Sequence, residues 1–392
     1  MTSWSEARLI ASGVLTAGDS AVVSLGEADG RVLAADVYSL VDLPGFPTAA
    51  MDGFAVAGEE PWVITGTVSA GEATHTFLEM GTCVRIGTGA QVPEGAVRVV
   101  PWEDVSVNSS DGEPVVGAQV THLHASGMGK AHIRPQGEER RKGELIAAAG
   151  TELDPILIGH LASAGIDSVS ARVKPRVRIV VFGDEVITSG VPQSGQVRDA
   201  LGVQLPMWFA RLGAEVTSVE YCGDDESRVV HALASNGEII VTTGGTSRGH
   251  RDFVRQAWLD VGGDWIVDGV HVRPGHPMML GQRSGDGAAI VGLPGNPLSA
   301  VVALMSLAVP LIDSALGRVV RPLGEVRMKE TVATEVTRLM LGSRDAGVFV
   351  GTTHASSAML AGASRSDGWA VVEPPGADAG AVVGWLCLPW RG

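Results

Sequence analysis

The 392 residues exceed what one hydrophobic core usually organises, so the chain is expected to divide into several domains. Hydrophobic residues at 45% against charged residues at 19% give a composition that buries cores and excludes a disordered chain. With 29 Lys and Arg against 44 Asp and Glu the formal charge is −15, which excludes diffuse attraction to a nucleic-acid backbone and leaves any anionic ligand to a local basic site.

In chain order, the N-terminal segment carries Glu6 and Arg8 and no long apolar core, which argues against a secretory signal. Apolar residues at Ala7, Ile10, Ala11 and Val14 predict a helix, and a second helical segment is expected through Ala28, Val32 and Leu33. The Pro44-Gly45-Phe46-Pro47 cluster ends this region. Residues 48–144 read as short β-runs between Gly- and Pro-containing turns, a separate mostly-β lobe. Helical periodicity returns at 152–165, so the first helical region is expected to pack there, with residues 1–47 and 145–173 forming one linking domain around an inserted lobe 48–144.

From residue 174 to 320 apolar runs alternate with helical segments: strands at 177–181, 216–221, 239–242, 264–270 and 288–293, and helices at 207–212, 226–234, 253–261 and from Pro297 onward. That alternation predicts a parallel, doubly wound α/β sheet. Residues 321–392 return to short β-runs, a small C-terminal β domain. Cys83, Cys222 and Cys387 are odd in number and in no Cys-x-x-Cys spacing, so neither a disulfide framework nor a thiolate metal site is indicated and a reducing cytoplasm is expected. The longest apolar stretch, 298–312, contains Pro310 and is shorter than the ~20 residues of a membrane span, so no membrane association is expected.

Ligands of open α/β sheets bind beyond the carboxyl ends of the strands, and three loops there are unusual. Phe182-Gly183-Asp184-Glu185 ends a strand in two carboxylates, either a polar turn or ligands for a hard cation such as Mg²⁺. Thr243-Gly244-Gly245-Thr246-Ser247-Arg248-Gly249 leads toward a helix near Asp252. It reads either as a Gly-rich turn required by geometry or as a phosphate-binding loop. Leu293-Pro294-Gly295-Asn296-Pro297-Leu298-Ser299 offers Asn296 as N-cap, Pro297 as first helical residue and a hydroxyl in the first turn. Two further strings, around Met51-Asp52-Gly53 and Thr88-Gly89-Ala90, are weak in isolation.

Taken in order, the strings EADGRVLAADV, DLPGFPTAAMDGFAV, RIGTGAQVPEGA, FGDEV, GGTSRGHRDF, RPGHP and LPGNPLS resemble, from about residue 4 to the end, the molybdopterin molybdenumtransferase family known as MoeA, of which the gephyrin E domain is a relative. The resemblance implies an elongated homodimer of four domains: the linking domain, the β lobe, an α/β molybdopterin-binding domain and a barrel-like C-terminal β domain. It further implies an active site completed by the other subunit's β lobe. Implied chemistry is insertion of molybdenum from molybdate into adenylated molybdopterin, supplied by a molybdopterin adenylyltransferase, with release of AMP and a requirement for Mg²⁺. No nucleic acid or membrane takes part.

Carried onto this chain, the resemblance assigns catalytic roles to Asp52, Thr88, Glu185 and Asp252, and metal binding to Asp184, Glu185 and Asp252. Substrate binding falls to Gly244, Gly245, Ser247, Arg248, Pro294, Gly295, Asn296 and Pro297, and molybdate binding to Arg273, His276, Ser299 and Ser357. An arginine from the C-terminal domain is implied as well, to which the string assigns no position. Several positions depart from the family pattern. Arg273-Pro274-Gly275-His276-Pro277 stands for Lys-Pro-Gly-Lys-Pro and makes one fixed cation a titratable imidazole. Val181-Phe182 replaces two hydroxyl residues, Asp199-Ala200-Leu201 replaces Asp-Ser-Asn, and Arg248, His250 and Arg251 add positive charge. These exchanges keep two alternatives open, a catalytically weakened paralogue that binds molybdopterin as a scaffold and a related nucleotidase.

Overall fold

The computed structural model describes residues 1–73, 76–109, 114–123, 131–223, 225–234, 239–246 and 253–389. Its centre is a six-stranded sheet in the order Glu215–Cys222, Arg176–Phe182, Ile239–Thr243, Ala289–Leu293, Met279–Arg283, Gly263–Asp268. The first four strands run parallel, as alternation with helices predicts. Met279–Arg283 runs antiparallel to Ala289–Leu293, because the tight turn at residues 284–288 leaves no room for a crossover helix between them, and Gly263–Asp268 pairs antiparallel to Met279–Arg283 in turn. Successive residues of the central strands feed different cores: Val177, Ile179, Val181, Val241 and Val291 join one cluster, while Val180, Phe182, Ile240 and Ile290 join another on the opposite face. Both faces are therefore covered, which is why these runs are continuously apolar rather than alternating.

The helix Trp4–Val14 buries Trp4, Ala7 and Ala11 in the core of this α/β region, not against residues 152–165 as expected from the sequence. Its anchor is specific: Trp4 Nε1 donates to Ser306 Oγ at 2.8 Å, and Ser306 in turn donates to the Val302 carbonyl at 2.7 Å. The second expected helical segment is instead the strand Ser20–Ser24, a short 3₁₀ turn Leu25–Glu27 and the strand Val37–Tyr38. Antiparallel pairing with Ser168–Arg172 and Leu145–Ala147 takes the backbone hydrogen bonds that a helix would have used. Ala28, Leu33, Leu153 and Leu161 pack together beside those pairs, joining chain on either side of the β lobe.

Within the lobe a six-stranded sheet runs Arg98–Pro101, Gly53–Val56, Thr82–Ile86, Trp62–Val68, Gln119–His122, Val105–Asn108. Period-2 alternation again splits it, with Ala55, Val84 and Val99 in one core and Phe54, Val56, Cys83 and Val100 in the other. The C-terminal region closes a five-stranded barrel: Thr337–Asp345, Val348–Gly351, Gly324–Arg327, Val382–Cys387 and Gly368–Val372, the last pairing back to the first.

One detail joins barrel to α/β region. The single strand expected at 264–270 breaks at Gly269, whose φ of +85° belongs to the left-handed region. The chain leaves the α/β sheet after Asp268, and Val270–Arg273 then pairs in parallel with Thr337–Asp345 at the barrel's edge. The apolar helical run Pro297–Ala315 is long enough to cross a membrane by length and composition, but 89% of its most apolar window is buried inside the protein, where it is the core helix under the sheet.

Candidate active site

The break at Gly269 builds the main cavity. Parallel pairing sets Arg273 directly opposite Arg338, so two exposed guanidinium groups enter the seam between α/β region and barrel from neighbouring strands. The loop after Arg273 folds back tightly, Val270 N donating to the His276 carbonyl at 2.9 Å, and this holds His276 at the same mouth. Arg273, His276, Pro294, Gly295, Asn296, Ser299 and Ser357 all line one cavity of about 1260 Å³. Arg338, Glu335 and Thr352 complete its barrel side.

Asn296 occupies the N-cap position of the helix beginning at Pro297 but makes no capping bond. The orphan N–H groups of Leu298 and Ser299 instead donate to the Ser357 carbonyl, at 2.9 and 3.1 Å, and the Asn296 amide reaches Ser357 Oγ at 3.4 Å. A barrel loop thus caps the α/β helix and brings Ser299 and Ser357 together, 58 positions apart in sequence (357 − 299).

The Gly-rich loop abuts the same mouth. Gly244 N donates to the Leu293 carbonyl at 3.0 Å, and a Cβ on Gly295 would lie 3.6 Å from the Gly244 Cα, so both turns are packed backbone to backbone. Gly245 adopts φ +64°, and a Cβ there would press into Val254, so this turn requires glycine for geometry alone. Ser247, Arg248 and Asp252, with His250 and Arg251, lie outside the described residues.

The Asp184 and Glu185 carboxylates are exposed at the end of the Arg176–Phe182 strand, and neither lines the cavity. Among the described residues no group of three His, Cys, Asp or Glu side chains is arranged to hold a metal. Val181 and Phe182 point into opposite cores, so no hydroxyl faces the ligand side there. Asp199 is a structural residue: it accepts from the Leu201 and Gly202 N–H groups at 2.9 Å and from Tyr221 Oη at 2.8 Å. Burial, with that bond, pushes the Tyr221 hydroxyl up to about 12.

Asp52 and Thr88 form a second centre, in the β lobe. Gly53 must lack a side chain because a Cβ would collide with the Val100 carbonyl, and that close approach fixes Asp52 at the strand's start. Asp52 Oδ1 accepts from Thr88 N at 2.6 Å and from Thr88 Oγ1 at 2.9 Å. These bonds, backbone first, hold its carboxyl below the usual carboxylate range, with Arg85 assisting. Arg85 and Phe54 in turn stack on Trp102, with Arg85 Cζ 5.3 Å from the ring centre. Neither Asp52 nor Thr88 lines the seam cavity of its own chain.

Residues 2–165 match the family described as "MoeA N-terminal region (domain I and II)", and residues 178–314 match the "Probable molybdopterin binding domain". A molybdopterin molybdenumtransferase of Haemophilus influenzae is 32% identical over 305 residues, covering 76% of this chain and 73% of its own. The chain belongs to the molybdopterin molybdenumtransferase, or MoeA, family. Molybdopterin molybdenumtransferase 2 of Mycobacterium tuberculosis is another similar member, 30% identical over 336 residues and covering 81% of this chain and 80% of its own. A solved molybdopterin biosynthesis MoeA protein of Pyrococcus horikoshii covers 99% of both chains at 25% identity and a TM-score of 0.77. Within this MoeA-family chain, Arg338 is a charged cavity residue that sequence reading missed, with Glu335 and Thr352 beside it. Its only local signal is a basic residue at the start of a C-terminal β-run, and nothing short of the strand pairing connects it to Arg273.

Proposed function

We propose that this protein is a molybdopterin molybdenumtransferase, transferring molybdenum from molybdate to adenylated molybdopterin with release of AMP. The observation that carries the reading is the seam cavity. In a chain of net charge −15 it gathers Arg273, Arg338 and His276 with the hydroxyls of Ser299 and Ser357, a donor set suited to a tetrahedral oxyanion. The adjoining Gly244 and Gly295 turns supply backbone at the carboxyl ends of the strands, where the substrate's phosphates would lie.

In the proposed step the phosphoanhydride P–O bond to the pterin's terminal phosphate breaks as an oxygen attacks the adenylyl phosphorus: water gives AMP and a proton directly, whereas a molybdate oxygen gives an adenylyl-molybdate that releases AMP when a dithiolene sulfur displaces that oxygen from molybdenum. No protein nucleophile is required. The residues orient the reactants and screen charge as it develops. Arg273, Arg338 and His276 hold the oxyanion. Asp52, kept ionised by Thr88, belongs to the β lobe of a second copy that completes the cavity, a homodimer supported by the absence of Asp52 from its own chain's cavity. Mg²⁺ is usually held by one or two carboxylates together with substrate phosphates, and the exposed pair Asp184 and Glu185 suits that kind of site, while Asp252, the third expected ligand, lies outside the described residues. There it would neutralise pyrophosphate charge. A cytoplasmic location fits the free thiols of Cys83, Cys222 and Cys387.

Purified protein incubated with adenylated molybdopterin, Mg²⁺ and molybdate should release AMP and yield active molybdenum cofactor. Asp52→Ala should lower AMP release by about a hundredfold or more. AMP no higher than in the variant, with substrate bound, would overturn the reading, and AMP without cofactor would mark a nucleotidase.

A further inference from the structure

A second cavity, of about 240 Å³, lies in the same seam and shares no lining residue with the first. Its floor is one stripe of the core helical run, Met305, Val309 and Asp313 spaced four apart, with Pro310 beside them. Pro310 lacks the N–H that would continue the helical ladder, and residues Leu304–Ala308 take a wider π-helical turn. The Met305 carbonyl accepts from Arg8 Nη1 at 2.9 Å, and the Arg8 guanidinium lies over the Trp4 ring with Cζ 5.0 Å from its centre. Leu323, Trp385, Leu386 and Leu388 form an apolar wall from the linker and barrel, and Arg321 and Arg344 stand at the rim.

The lining is apolar with three guanidinium groups against one carboxyl. That carboxyl, Asp313, is 2% exposed and is paired with Arg318 Nη1 at 3.4 Å. Arg8 is committed to Met305, and Arg321 lies 3.6 Å from Glu152. Arg344 has no carboxylate within ion-pair distance among the described residues, which leaves it able to take a ligand's charge. For scale, a dry cavity of ~150 Å³ accommodates benzene.

We propose that this cavity is a second ligand site, which takes a small organic carboxylate with a compact apolar body of about one ring. The apolar body sits on Met305 and Val309, and the carboxylate faces Arg344. Benzoate is the probe, with benzamide as its neutral isostere and inorganic sulfate as an anion without an apolar body. The readout is the Met305 methyl resonance of the full-length protein carrying ¹³C-methyl methionine, assigned with Met305→Leu.

Benzoate should shift that resonance saturably, benzamide and sulfate should bind at least roughly tenfold more weakly, and Arg344→Gln should weaken benzoate by about tenfold. Val309→Phe should abolish the shift by filling the floor, its fold verified by unchanged resonances of the other methionines. No Met305 shift with benzoate overturns the site. Equal binding of benzamide or sulfate, or an unchanged benzoate affinity in Arg344→Gln, overturns the assigned ligand class.

Discussion

In the β-rich lobe Asp52 meets Thr88 across one sheet, and the partners lie 36 positions apart. The seam cavity draws Arg273 and Ser299 from the α/β region and Arg338 and Ser357 from the barrel, through a strand pair and a helix cap that each cross between domains. One centre is acidic and closed by local hydrogen bonds; the other is basic and exists only if two domains dock. Glu335 also lines the seam cavity, so its basic character rests on Arg273 and Arg338 outnumbering one carboxyl, and in the proposed dimer a second acid, Asp52, would come from the other copy.

The largest effect expected from this division is in mixing. Asp52→Ala and Arg338→Ala dimers should each be nearly inactive, yet after subunit exchange about a quarter of wild-type AMP release should return, since half the dimers are mixed and each has one intact site. No recovery, with exchange demonstrated by mass, would place both centres in separate roles.

Next, Arg338→Gln should raise the molybdate KM by about tenfold or more while leaving pterin binding within about twofold, because it removes a charge-assisted donor from the oxyanion alone. A loss of pterin binding would move Arg338 to the other substrate. The His276 position should produce a smaller effect: His276→Ala should raise the molybdate KM by about threefold while leaving pterin binding unchanged, because it removes one ring N–H donor from the cavity mouth. An unchanged molybdate KM removes His276 from the oxyanion's contacts.

The smallest effect concerns the acid itself. Asp52 is held below the usual carboxylate range, so its bonds with Thr88 contribute stability that is present above the unfolded-state value and is lost as pH falls through the depressed folded value. A ¹³C titration of the Asp52 carboxyl should show that depressed midpoint, and Thr88→Val should move it upward toward the ordinary range. An unmoved midpoint would leave the depression to the Thr88 backbone N–H, with Arg85 assisting.

Much of the fold was legible where periodicity is strong. The apolar runs at 177–181, broken only by Arg178, and at 239–242 and 288–293 marked strands of an α/β sheet, and short β-runs between Gly- and Pro-containing turns marked the lobe as mostly β. Residues 15–41 were misread because scattered Ala, Val and Leu fit a helix as well as an edge strand, and pairing with Ser168–Arg172 decided between them. The motif strings named Asp52, Thr88, Arg273 and Ser299 and the resemblance added Ser357; the structure brings Arg273, Ser299 and Ser357 to one cavity and holds Asp52 with Thr88 in the lobe. They did not find Arg338, whose neighbours in sequence have no part in its chemistry, nor foresee that Ser357 rather than Asn296 caps the helix.

By itself, then, the sequence determined local matters: which runs are strands, where glycine is obligatory, which loops carry carboxylates, hydroxyls and guanidinium groups, and to which family their order belongs. Tertiary structure alone decided which of those groups meet. The break at Gly269 moves a strand from one sheet to another and sets Arg273 opposite Arg338. Such pairings depend on backbone hydrogen bonds and on packed faces from distant segments, neither of which leaves a signature in the residues that are brought together.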